Sequence, residues 1–513
     1  MKQRTRTKQF IINFGAQLVS FAVAFVINFF VTPYIIKTIG SEAYGFVGLA
    51  NNFISYASIV TTALNSMFGR FVTISIHQGD NEKANKYFSS VFFTNVIVSV
   101  PLSVISAFIL IFLEKLIHIS ESIVFDVKLL WLFLFINFII GLIFSVFSVA
   151  TFARNRLDLA SLRGIESSVI RIGIIIGFFA FLKPSVWFIG FATLISGIYT
   201  YLLNVYYTKK LLPDIKIRKK DFNINMVKEL ISSGMWNSVS HLSGILSNGL
   251  DLLITNLFVT SAAMGVVSVS KTIPGLILNA FGTVSGLFAP DLTKSYALND
   301  FEDMKKQLIS AIKLLSFFVS IPLSFMYVFG KEFYSLWVPT QDAKTLYLLT
   351  VLTMLAAPFG WALEPLWNIF TVTNKVKQSS LFLLSNALLS TLLVFVFLHF
   401  TNDETVKMCI VVGTSTVISI IRNITFLPIF GAKYIGMRKR TFYPVIIKNV
   451  VVIIVITLVS FVVKMFIVPK TWLMLIVCGV IISIIAIVIS YCLILGSNER
   501  IIIKTKIREI VSK

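Results

Sequence analysis

The chain has 513 residues, of which 57% are hydrophobic and 13% charged, and a net charge of +22. Soluble domains carry about a quarter charged residues, so this composition, with its 48 phenylalanines, excludes an ordinary globular enzyme and marks an integral membrane protein. The basic excess raises nucleic acid as a partner, a reading that depends on where the charges fall.

A bilayer core of roughly 30 Å needs about 20 apolar residues per helix, and reading apolar runs against turn signals gives about 14 spans. The first, 10–31, follows the basic start MKQRTRTKQF and has no small-residue cleavage site behind it, so it reads as an uncleaved span. Next come 43–76, 87–112, 127–153, 164–182 and 185–207. The stretch TKKLLPDIKIRKKDFNINM, 208–226, is a basic linker suited to anionic lipid headgroups. Beyond it lie 228–259, 263–294, 306–330, 345–371, 378–400, 405–430, 443–467 and 471–495.

With the N-terminus placed inside, most Lys and Arg fall at both ends of the chain and in every second connection, the pattern expected of cytoplasmic segments. The excess charge is therefore a topology signal: both termini are expected in the cytoplasm, and nucleic acid is not an expected partner. Cys409, Cys478 and Cys492 sit in apolar runs, and the four histidines are scattered. Neither a disulfide framework nor a metal-site spacing can be built from them, so no metal is expected.

A shift of 220 residues lays 41–87 over 261–307, with identities that include Ser41/Ser261, Gly45/Gly265, Phe68/Phe288, Asp80/Asp300 and Lys86/Lys306. Spans 1–6 and 7–12 both begin inside, which makes them parallel repeats. The expected organisation is an N-terminal lobe 1–207, a basic linker 208–227, a C-terminal lobe 228–432, and residues 433–513 as two appended helices with a basic tail.

Three segments resemble bacterial polysaccharide flippases of the multidrug/oligosaccharidyl-lipid/polysaccharide (MOP) exporter superfamily: PYIIKTIGSEAYGFVGL at 33–49, HQGDNEKANKYF at 77–88, and LSNGLDLLITNLFVTSAAMGVVSVSKTI at 246–273. The resemblance covers roughly 10–440. It implies an all-α polytopic membrane protein in which two six-helix lobes form a V around a central cavity, as in MATE transporters, with two further C-terminal helices. It also implies a monomer in the bacterial cytoplasmic membrane. The substrate implied is a polyprenyl-pyrophosphate-linked oligosaccharide repeat unit, moved from the inner to the outer leaflet by alternating access. Membrane lipids and the polysaccharide polymerase of the same pathway are the implied partners. There is no G-x-x-x-x-G-K-[ST] motif, so an H⁺ or Na⁺ gradient or the membrane potential is the expected drive.

Ionisable groups at membrane depth are the candidate site, since each costs a few kcal/mol unless it is paired or solvated. Asp251 lies within GILSNGLDLLITNLFV, 244–259, and Lys271 lies the same distance beyond the turn near residue 261. They are expected either to form a structural ion pair or to serve ion coupling, with Glu364 as a further coupling candidate. Arginine binds phosphate oxygens bidentately. Arg70, Arg154, Arg171, Lys271 and Arg422 are therefore the pyrophosphate-binding candidates, against a bland reading as snorkelling or paired charges. Pro274, Pro290, Pro358 and Pro365 are hinge candidates. His241, ten residues before Asp251, is expected to be a satisfied core histidine. Two other functions compete. A MATE-type multidrug/cation antiporter is disfavoured by the basic cavity, and a membrane polymerase by outward connections too short to form a domain.

Overall fold

The computed structural model describes residues 6–286 and 288–494. The basic groups expected inside at Lys2, Arg4 and the tail from 495 lie outside the described residues. Among those described, no strand occurs. Thirteen helices among the described residues are long and apolar enough to cross a membrane.

In chain order the elements are α1 Arg6–Ile39, α2 Ser41–His77, α3 Asn81–Ile111, α4 Glu121–Ala153, α5 Leu157–Phe181 and α6 Trp187–Leu211. α7 is composite: Ile224–Gly244, a π-helical turn Ile245–Gly249, then Asp251–Phe258. α8 Ser261–Gly286 and α9 Phe301–Trp337 follow. The remainder are α10 Ala343–Val372, α11 Val376–Leu398, α12 Glu404–Tyr434, α13 Tyr443–Phe466 and α14 Trp472–Leu493.

Two differences from the sequence reading have physical causes. The first span was ended before Pro33, yet α1 runs through that proline to Ile39; membrane helices tolerate proline because neighbouring groups satisfy the freed carbonyl. α7 is helical as expected but is not among the thirteen apolar spans. Its sequence carries Asn237, Ser238, His241, Ser243 and Asp251, so its helicity depends on what covers it.

That cover is α2. A side chain at Gly234 of α7 would meet the Ala63 carbonyl oxygen of α2 at 1.9 Å. Backbones can approach this closely only where Cβ is missing. Polar side chains close the rest of the seam: Ser238 Oγ donates to the Ile59 carbonyl (3.2 Å), and Asn237 Nδ2 to Ser66 Oγ (3.1 Å). Two of the polar side chains of α7 thus find their partners on α2.

The described chain forms two compact units, one from residues up to 268 with 383–387 and the other from residues 269–382 with those from 388 to 494. In the first, Leu64, Phe68, Phe88, Val91 and Leu230 form part of the core. The basic segment between α6 and α7 is docked here, with the Lys216 amide donating to Asn85 Oδ1 (2.6 Å) and the Asn223 amide to Ser90 Oγ (2.9 Å). In the second, Leu308, Leu363, Phe370, Phe426 and Ile446 form a comparable core.

The 220-residue shift recurs in backbone geometry. After α2, the amides of Gln78, Gly79 and Asp80 bond the carbonyls of Ile74, Ile76 and Ser75. After the short helix Ala289–Ala297 that follows α8, the amides of Leu298, Asn299 and Asp300 bond those of Lys294, Tyr296 and Ser295. Gly79 and Asn299 both take positive φ (77° and 55°). The following aspartates then cap the next helix alike, Asp80 accepting from the Lys83 amide and Asp300 from the Asp303 amide, each at 2.9 Å. Arg154–Asn155–Arg156 and Thr373–Asn374–Lys375 repeat the same bonding, again with positive φ at the asparagine.

Candidate functional site

In the first unit, Arg171 lies on α5, fourteen residues from one end and ten from the other. It lines a cavity of about 220 Å³ with Asn137 of α4, Ser167 and Ser168 of α5, and Thr193, Ser196 and Gly197 of α6. No Asp or Glu lines it. Arg171 makes no hydrogen bond or ion pair among the described residues. The walls are fixed: a Cβ on Gly197 would lie 2.0 Å from Asn137 Oδ1, while Tyr201 Oη donates to that oxygen at 3.1 Å. Ser167 Oγ donates to the Ser196 carbonyl at 3.2 Å. The result is a permanent cation among hydroxyls and an amide, suited to a phosphate oxygen or another anion.

Arg163 lies about two turns earlier on α5. It is 4% exposed, its guanidinium stacks over Tyr207 at 4.9 Å, and its Nη1 has no hydrogen-bond partner. Only its spacing of eight from Arg171, which puts both on one helix face, signalled this in the sequence.

Asp251 is 4% exposed in the same unit and follows directly on the π turn of α7. A π turn breaks the i→i+4 ladder, and here the Gly249 carbonyl accepts from two residues of α2, Asn52 Nδ2 (2.8 Å) and Tyr56 Oη (2.6 Å). Asn52 and Tyr56 are one helical turn apart, so both face one point. The sequence reading missed this pair, although two polar residues at i and i+4 in an apolar helix were the available signal. His241 departs from the expected satisfied core histidine: its buried Nδ1 has no partner.

The other first-unit candidates are peripheral. Arg70 is exposed on α2. Arg154 is exposed just after α4 and donates from Nε to the Leu211 carbonyl at 3.2 Å. Arg156, two residues beyond it, pairs with Asp158 at 2.9 Å.

In the second unit, α10 is broken where its two prolines fall. Ala357–Gly360 is a single helical turn and Trp361–Leu366 is 3₁₀, with Pro358 in the first and Pro365 in the second. Glu364 sits on the 3₁₀ turn and lines a cavity of about 460 Å³ with Leu278, Asn279 and Gly282 of α8. It makes no hydrogen bond or ion pair among the described residues. Arg422 of α12 is its electrostatic neighbour. That guanidinium stacks over Trp367 at 5.7 Å and donates from Nε to Asn423 Oδ1 at 3.2 Å. Lys271 is half-buried on α8, in the second unit, whereas Asp251 belongs to the first. Pro274 lies inside α8, and Pro290 stands in the first turn of the short helix Ala289–Ala297. Among the described residues, no group of three His, Cys, Asp or Glu side chains could hold a metal ion.

Solved structures give this fold a class. The chain superposes on the lipid II flippase MurJ in an inward closed conformation with a TM-score of 0.66 at 16% identity, covering 94% of this chain and 99% of that one. An inward-facing multidrug resistance MATE family transporter of the MOP superfamily gives a TM-score of 0.63 at 16% identity, covering 83% and 98%. A MOP superfamily transporter from Pyrococcus furiosus, described as having a binding pocket of reverse polarity, gives 0.59 at 16% identity, covering 82% and 95%. The fold is that of the MOP-superfamily transporters.

The family is narrower. A family model described as polysaccharide biosynthesis protein matches residues 37–336. An uncharacterized membrane protein, EpsK, of Bacillus subtilis (strain 168) is 28% identical over 510 residues, 98% of each chain. The chain belongs to the polysaccharide biosynthesis protein family, and it has the fold of the MOP-superfamily transporters.

Proposed function

We propose that the protein flips a polyprenyl-pyrophosphate-linked oligosaccharide from the inner to the outer leaflet of a bacterial cytoplasmic membrane, for surface polysaccharide synthesis. The supporting observation is the Arg171 cavity: a lone guanidinium with hydroxyl and amide walls and no lining carboxylate. An organic cation would be repelled there, which disfavours the cation-antiporter reading. A charge deep in a membrane helix is tolerated where it serves a substrate path. Arg422, held against Trp367 and Asn423, is the second-unit counterpart for anionic or sugar groups. Arg70 and Arg154, both exposed, serve at the mouth of the path. Asp251 and Glu364, with Lys271 in support, are the candidate sites through which H⁺ or Na⁺ would drive the cycle, and Pro274, Pro290, Pro358 and Pro365 mark its hinges. The protein acts as a monomer beside the polymerase that consumes its product.

The test is surface polysaccharide output in cells carrying Arg171 variants at normal membrane levels. Arg171→Gln is expected to lose at least about tenfold, one charge-assisted contact being worth about 1.5–3 kcal/mol. Arg171→Lys should retain part of the activity, because it keeps the charge and loses the fork. Full output from Arg171→Gln would remove the cavity from the substrate path.

A further inference from the structure

The two appended helices have no counterpart in either six-helix repeat, yet one polar side chain ties α13 into the break of α10. Asn449, in the apolar sequence YPVIIKNVVVIIV, is 1% exposed. Its Nδ2 donates to the carbonyl oxygen of Pro358 at 2.6 Å. A carbonyl only accepts, so the nitrogen end of the amide must face it. The other end, Oδ1, is buried without a partner. An amide kept in a hydrocarbon-facing helix with half its capacity unused is there for the bond it does make.

That bond holds a distorted backbone. Pro358 opens the short turn, and Gly360 leaves helical geometry at φ −129°, ψ −50°. Asn423 Nδ2 lies 2.2 Å from where a Cβ on Gly360 would be. The chain then continues as 3₁₀ to Leu366. A 3₁₀ turn advances 120° per residue against 100° in an α-helix, so over four residues Glu364 is aimed about 80° from where an unbroken helix would point it. This geometry turns Glu364 into the 460 Å³ cavity beside Asn279 and Gly282.

We infer that Asn449 is a positioning residue: by donating to Pro358 it fixes the broken segment 357–366 and so aims Glu364 into the cavity of the second unit. α13 is thereby part of the site's support as well as of the lipid-facing surface. The transport consequence rests on the proposed role of Glu364; the structural claim does not.

The test uses the full chain in nanodiscs, with Cys409, Cys478 and Cys492 replaced by serine and a reporter introduced as Glu364→Cys. Labelling by a charged methanethiosulfonate is compared in the Asn449 and Asn449→Leu backgrounds, alongside hydrogen exchange over 356–367. Asn449→Leu removes the donor and keeps the volume, and is expected to change labelling about fivefold and speed exchange in that segment, as loss of one buried hydrogen bond predicts. Unchanged labelling and exchange in a folded Asn449→Leu variant would overturn the inference. Should that variant fail to fold, Asn449→Ala carries the same comparison. A double-mutant cycle for transport separates the two claims. If Glu364 is used, Asn449→Leu and Glu364→Gln should be strongly non-additive. Wild-type transport by Glu364→Gln would sink the coupling role of Glu364 and leave the labelling result to decide Asn449.

Discussion

Arg171 and Arg422 look alike in the sequence, single arginines within apolar helices, but their surroundings differ. Arg422 has Trp367, Asn423 and the nearby Glu364; Arg171 has a cavity and no acid. Sequence identified both residues because an intramembrane charge is conspicuous, but it could not separate them, since the distinction lies in helices distant along the chain. For the same reason it missed Asn52, Tyr56 and Asn449, whose importance comes from the carbonyls of Gly249 and Pro358. Two outcomes follow at this scale. Tyr56→Phe removes one donor to Gly249 and should lower thermal stability in detergent by about 1 kcal/mol, with Asn52 retaining the carbonyl. Asp251→Asn, nearly isosteric, should insert normally and abolish transport measured at equal membrane level; transport at the wild-type rate would make Asp251 structural.

Elements show why burial pattern and hydropathy diverge. α7 lacks the hydropathy of the other spans, yet Asn237 and Ser238 bond α2, and Gly234 lets the two backbones meet. Gly234→Ala should force α2 and α7 apart and destabilise the first unit by about 1–3 kcal/mol, as overpacking does, read as a lowered melting temperature. Substitution at Gly173, where an added Cβ meets nothing within 4 Å, is the control. α13 is fixed to α9 by a second polar contact: Lys464 Nζ donates to the Val328 carbonyl (2.6 Å) and pairs with Glu332 at 2.8 Å. Lys464→Met alone should cost about 3–5 kcal/mol by stranding Glu332, whereas Lys464→Met with Glu332→Gln should cost much less. Equal melting temperatures for the two variants would show that the pair carries no such penalty.

At the scale of the whole molecule, the helix pattern was legible almost throughout, because spans of about 20 apolar residues leave the bilayer few alternatives. The repeat was legible too, through turn residues rather than cores: Gly79 with Asp80 and Asn299 with Asp300 mark the same capped turn, and such turns constrain sequence more tightly than lipid-facing surface does. Cavities were not legible, since each takes walls from elements separated by tens of residues. The central claim is movement of a pyrophosphate-linked oligosaccharide lipid between leaflets. Its most direct measurement is the leaflet accessibility of that lipid in proteoliposomes containing the purified protein under an imposed ion gradient. Fast, protein-dependent exchange that is lost in Arg171→Gln is the predicted result. An absence of exchange by the wild type, with uptake of an organic cation instead, would contradict it.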